Sequence, residues 1–118
     1  MTTLFALTID CASPSTLAPF WCEALGYSVR DVIGEYVILG PKDGADKPLV
    51  FLQRVPEPKV AKNRMHVDLH AADPVAEAER LCGFGATILT ALQEQGGFRW
   101  LVMVDPEGNE FCVGTMPA

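Results

Sequence analysis

Residues 64 to 82 read Arg-Met-His-Val-Asp-Leu-His-Ala-Ala-Asp-Pro-Val-Ala-Glu-Ala-Glu-Arg-Leu-Cys, and two periods follow one another within that stretch. From Arg64 to His70, apolar Met65, Val67 and Leu69 alternate with Arg64, His66, Asp68 and His70, the period-2 pattern of a strand packed on one face. The other face carries two imidazoles and a carboxylate. Asp73 can then accept a hydrogen bond from a free amide of a first helical turn, and Pro74 brings no amide to leave unpaired. The same grammar occurs once before. Phe5, Leu7 and Ile9 alternate with Leu4, Ala6, Thr8 and Asp10, and Ser13-Pro14 repeats Asp73-Pro74 at an offset of 74 − 14 = 60 positions. Roughly 20–50 residues is the period of solenoid repeats; this longer offset is half of a small domain and predicts two similar half-domains.

Leu17, Phe20, Trp21, Ala24 and Leu25 fall at i, i+3, i+4, i+7 and i+8 and form a broad apolar stripe that packs on a sheet. Trp21 belongs to it as core. Val75, Ala78, Leu81 and Cys82 make a thinner second stripe. Gly26 and Gly85 follow the two helices as expected stops. Tyr27–Ile33 and Tyr36–Leu39 read as strands joined by Gly34-Glu35, and Leu49–Val55 supplies a third. The second half repeats this with Thr87–Leu92, a turn at Gln95-Gly96-Gly97, Phe98–Val104, and a short last strand Glu110–Val113. Asp105-Pro106-Glu107-Gly108 carries the residue types of a type I turn.

The chain has 118 residues, 49% of them hydrophobic, and no apolar run of eighteen or more. Such a length buries roughly two-thirds of its unfolded surface and needs no metal or disulfide staple, so any metal is functional. The formal charge of −6 argues against nucleic acid and anionic membranes, which need an excess of Lys and Arg. Met1-Thr2-Thr3 shows no basic region and leads to no signal-peptide core, and the expected location is the cytoplasm. Cys11, Cys22, Cys82 and Cys112 lack C-x-x-C spacing and read as small buried hydrophobes.

The doubled βαβββ order, Phe20-Trp21-Cys22-Glu23-Ala24-Leu25-Gly26-Tyr27, and Asp105-Pro106-Glu107-Gly108-Asn109-Glu110-Phe111 together resemble the vicinal-oxygen-chelate superfamily. Gln53-Arg54-Val55-Pro56-Glu57-Pro58-Lys59, continuing into Asn63-Arg64-Met65-His66-Val67-Asp68-Leu69, is similar to its bacterial glyoxalase-like subgroup. The resemblance implies an α+β fold with paired βαβββ modules forming a curved mixed sheet around a cleft. The modules are expected at about 1–55 and 64–118 of one domain, with 56–63 as linker, and such domains commonly pair as homodimers. Fold alone does not give function.

Metal enzymes of the superfamily hold a divalent ion with two side chains from each half. Carried over, those positions fall on Ala6, near Phe51 (with Gln53 further along the same face), on His66 and on Cys112. Only His66 is a conventional ligand there, so no resident metal or other cofactor is expected. His66 with Asp68 and a third donor from Glu110, Cys112 or Gln53 is the minor metal alternative. His66 and His70 are about 13 Å apart on a strand, too far to share an ion bound at about 2 Å.

The expected ligand is a small organic molecule, aromatic or planar, bound by Phe51, Gln53, His66, Asp68, Trp100 and Cys112, with Phe98 a further aromatic wall. Strand parity leaves Trp100 either there or beneath a helix. His66 and Asp68 are also the candidate acid–base pair of a lyase or isomerase of glyoxalase type. Cys112 as a nucleophile has only its nearness to His66 in its favour. Arg54, Lys59, Lys62 and Arg64 make the linker locally basic; a proline-stiffened solvated connection is the preferred reading, with steering of an anionic ligand as the alternative.

Overall fold

A computed structural model describes residues 4–115; Met1-Thr2-Thr3 lie outside the described residues. The chain forms two compact units that divide between Pro58 and Lys59.

In the first unit, β1 (Ala6–Cys11), α1 (Pro14–Leu25), β2 (Tyr27–Ile33), β3 (Tyr36–Pro41) and β4 (Leu49–Arg54) build a four-stranded sheet in the order β1-β4-β3-β2. β1 and β4 run parallel, and the remaining neighbours are antiparallel. Leu17, Ala18, Phe20 and Trp21 of α1 are buried with Val37, Leu39, Val50 and Leu52 of the sheet. Phe20 and Trp21 meet edge to face at 5.2 Å. Gly26 ends α1 in the left-handed conformation, φ 71°, its N–H donating to the Cys22 carbonyl. The expected side-chain cap at Ser13 is not made: the Ser13 hydroxyl bonds the Thr16 hydroxyl at 2.9 Å.

In the second unit, β5 (Val67–His70), α2 (Pro74–Cys82), β6 (Thr87–Ile88), β7 (Gln93–Gln95), β8 (Phe98–Val104) and β9 (Glu110–Thr115) repeat the plan. The order is β5-β9-β8-β6, with β7 also paired to β8 and with β5 parallel to β9. Asp73 caps α2, its carboxylate accepting from the Ala76 N–H at 3.1 Å. The buried residues of α2 are Pro74, Ala78 and Leu81, whereas Val75 and Cys82 of the expected stripe are exposed. The cap residue is Gly83 in right-handed geometry; Gly85, the expected stop, has φ 105° two residues later.

Several strand limits differ from expectation: β3 runs on to Pro41 and β4 ends at Arg54, and three further changes lie in the second unit. The strand read over Arg64–His70 begins at Val67, because its ladder with β9 opens at Val67↔Phe111; Met65 lies before it and is 81% exposed. The strand read over Thr87–Leu92 breaks after Ile88. There the Leu89 and Thr90 N–H groups both donate to the Val102 carbonyl, and the Thr90 hydroxyl accepts from the Val102 N–H. A side chain thus replaces a ladder bond, and pairing resumes as β7. The last strand runs on to Thr115. Between β8 and β9, buried Asp105 accepts from the Glu107 and Asn109 N–H groups at 2.8 and 2.9 Å, which fixes the turn read from the sequence.

Candidate functional site

Each sheet has a face turned away from its helix, and register shows what stands on it, because directly paired residues project to the same side. In the first unit, Val50 and Leu52 face α1, so Leu49, Phe51 and Gln53 take the other side. Phe51 is in register with Thr8 on β1 and Ile38 on β3, and Gln53 with Asp10 and Tyr36. The Phe51 ring lies edge-on to Phe5 at 5.9 Å and to Tyr36 at 6.2 Å. Nearby, a pocket of about 530 Å³ is lined by Leu4, Phe5, Arg30, Pro41, Pro48 and Leu49 among others. The Arg30 side chain lies over Gly40, where a Cβ would come within 2.7 Å of it, and donates to the Pro41 carbonyl at 3.1 Å. Neither Arg30 nor this pocket was suggested by the sequence; a loop that must fold back beside β3 leaves no local periodicity.

In the second unit, Leu101, Met103, Phe111 and Val113 form the buried helix side. The opposite side carries Asp68 in register with Cys112, Cys112 with Val102, and Trp100 with Gly114. The two placements left open for Trp100 are thereby resolved: it stands on the face of Cys112, not beneath α2. Gly114 makes room for it, since a Cβ there would lie 3.0 Å from the Trp100 Cβ. Phe98, two residues earlier on β8, is 45% exposed.

His66, just before β5, continues this face. Its Nδ1 lies 3.4 Å from Asp68 Oδ1, and one ligand-type atom from each of His66, Asp68 and Cys112 falls within 4.8 Å of the others. Cys112 is only 8% exposed. Burial pushes its thiol up to about 11, and the neighbouring Asp68 carboxylate, which also accepts the thiol hydrogen, adds to the rise; Lys62 opposes it. At neutral pH this sulfur is protonated, which disfavours the nucleophile reading. His70 is exposed at the end of β5.

Glu110 is not free to join the cluster. It is bound by Lys59 Nζ at 2.9 Å and by the Asn63 N–H at 3.4 Å. Burial works against its ionised form, but these partners hold its carboxyl below the usual range. Lys59 also donates to the Ala61 carbonyl, so part of the linker's basic charge is spent locally.

The four-position metal set implied by resemblance does not fit. Ala6 has no donor atom, and Phe51 presents a ring packed between two others. The second unit alone supplies donors at both of its positions, and Asp68 stands beside them.

Two βαβββ units with the same sheet order define the class of protein. The sequence pattern of the glyoxalase-like domain matches residues 6–114, and the chain belongs to that family, within the vicinal-oxygen-chelate superfamily. Solved structures agree in fold. A glyoxalase/bleomycin resistance protein/dioxygenase family enzyme from Burkholderia phytofirmans PsJN shares 14% identity over 98% of this chain and 99% of its own, with a TM-score of 0.76. The protein UcmS2 shares 24% identity over 97% and 98% at a TM-score of 0.73. A glyoxalase family protein from Bacillus cereus shares 16% over 100% and 96%, also at 0.73. No curated protein sequence matches the chain. Among the described residues no helix is long and apolar enough to cross a membrane.

Proposed function

We propose that this glyoxalase-like protein binds a small organic molecule with an aromatic or planar part, without the four-ligand metal centre of its metal-dependent relatives. The observation that carries this reading is the aromatic group on the helix-free face of the first sheet, Phe51 flanked edge-on by Phe5 and Tyr36. Aromatic edges and faces beside a few polar groups, here Gln53, Thr8 and Asp10, suit a flat ligand. Gln53 belongs to this group on the first unit, and Trp100, His66, Asp68 and Cys112 are the ligand-binding residues proposed on the second. The net charge of −6 supports a small molecule over nucleic acid or an anionic membrane. We extend the proposal to a cytoplasmic homodimer; exposed Val29, Val32 and Ile33 on edge strand β2 support pairing, which sedimentation tests directly.

The test is a thermal-shift screen of planar aromatic compounds on the wild type and on Phe51→Ala. A binder should raise the melting temperature with its occupancy, and Phe51→Ala should weaken it about tenfold or more, as expected for roughly 1.5–3 kcal/mol of buried aromatic surface. A screen without a stabilising compound, or affinity indifferent to Phe51, overturns the reading. A second reading, a lyase or isomerase of glyoxalase type, is favoured by the 3.4 Å His66–Asp68 pair. Under it, a bound compound is converted, and His66→Ala keeps affinity while losing turnover.

A further inference from the structure

We propose that His66, Asp68 and Cys112 form a three-donor site for a thiophilic divalent cation of the zinc type, contained wholly within the second unit. It differs from the superfamily's two-plus-two arrangement in taking its carboxylate from β5 and needing nothing from Ala6 or Phe51.

The geometry is close to that required. Ligand atoms around a tetrahedral zinc, bound at about 2.0–2.3 Å, stand about 3.3–3.8 Å apart, and the three donors already lie within 4.8 Å of one another. The remaining contraction is about 1 Å. It falls on His66 and Asp68, whose side chains are 39% and 74% exposed and can turn, while Cys112 is held in the sheet between Asp68 and Val102. The backbone fixes the order: parallel register sets Asp68 opposite Cys112, and His66 lies one strand repeat before Asp68. Competing groups are accounted for. Glu110, the carboxylate of β9, is bound by Lys59 and Asn63, and Lys62 is the cation whose charge acts on Cys112.

A thiolate among the donors selects zinc, cobalt or cadmium over magnesium and calcium, which prefer oxygen ligands alone. Three protein ligands leave a fourth position for water or another small ligand, the pattern of open rather than structural zinc sites. On binding, the Cys112 S–H bond breaks, its proton passes to water and the sulfur pair goes to the cation. The site shares His66, Asp68 and Cys112 with the residues proposed to bind the organic ligand, but its test is separate, because it is read with the ion alone.

The experiment is titration of the metal-free protein with Co2+, followed by the thiolate-to-cobalt charge-transfer band and the ligand-field bands of four-coordinate cobalt, then displacement by Zn2+. Cys112→Ser should abolish the charge-transfer band. Asp68→Asn and His66→Ala should each weaken Co2+ roughly tenfold or more, since loss of even an outer partner of a ligand costs 10–100-fold. Magnesium should displace nothing. Both exposed-residue variants leave the core intact, and a thermal melt of each confirms folding. No charge-transfer band, a full band in Cys112→Ser, or a Co2+ affinity unchanged in Asp68→Asn and His66→Ala overturns the proposal; the last two outcomes indicate an adventitious thiol, with exposed Cys82 the first suspect.

Discussion

Thr8 on β1 faces Phe51 on β4, and Asp68 on β5 faces Cys112 on β9, through the same parallel pairing in the two halves. Ala6 precedes Thr8 by two residues as His66 precedes Asp68. The same three positions therefore hold Ala, Thr and Phe in one half and His, Asp and Cys in the other. On the helix side the halves stay alike: Leu39 and Leu52 are as fully buried as Met103 and Val113. A face that must pack tolerates few side chains, whereas the opposite face is released from that demand and can carry an aromatic group in one copy and polar donors in the other.

The contrast predicts the largest losses on the helix side of either half. Trp21→Ala and Phe111→Ala, at 1% and 0% exposure, should each cost about 3–5 kcal/mol by urea unfolding. Phe51→Ala and Trp100→Ala, on the opposite faces, should cost clearly less. Equal costs on both faces would erase the distinction. Glycines refine it further. A Cβ on Gly114 would meet the Arg99 carbonyl at 2.8 Å, part of the backbone, while one on Gly40 would meet the flexible Arg30 side chain at 2.7 Å. Gly114→Ala should therefore cost about 1–3 kcal/mol, and Gly40→Ala less, because Arg30 can swing away from the Pro41 carbonyl.

The Lys59–Glu110 pair anchors the start of the second unit to β9, with side chains 25% and 11% exposed. Glu110→Gln should cost about 1–2 kcal/mol at neutral pH. Since the folded-state carboxyl is held below its ordinary value, that contribution is complete above the unfolded carboxylate range, about 4.3, and fades as pH falls through the lower folded value. The wild-type and Glu110→Gln unfolding curves should converge in acid.

The helices, the Asp105 turn and the doubled order were legible because each rests on local chemistry: a cap, an apolar stripe, a proline beside an acid. The break after Ile88 was not. It depends on the Thr90 hydroxyl meeting the Val102 amide twelve residues away, and threonine in a β-rich run otherwise reads as strand. His66 fell outside its strand for a related reason, as strand limits are set by the partner's extent. Resemblance carried His66 and Cys112 to ligand positions, and alternation put Asp68 on the face of His66. That Asp68 sits directly across from Cys112 is a matter of register between segments 44 positions apart (112 − 68), which no local period encodes.

The smallest predicted effect is the most pointed, because it isolates one position at which the halves differ. Asp68 contributes to the rise of the Cys112 thiol to about 11 through its charge and through accepting the thiol hydrogen, second to burial itself. Asp68→Asn removes the charge and leaves burial, so the thiol should titrate lower and the pH profile of Cys112 alkylation should move toward neutrality, while exposed Cys82 keeps its rate as an internal reference. The folded-state value lies above the unfolded one, about 8.5. The associated stability is thus complete below that pH and is lost as pH rises toward 11. Alkaline destabilisation should consequently be shallower in Asp68→Asn, and vanish at this site in Cys112→Ser. Mass-spectrometric alkylation that finds identical Cys112 profiles in wild type and Asp68→Asn would mean that burial alone sets the thiol, and that the donors gathered on the second sheet do not act on one another.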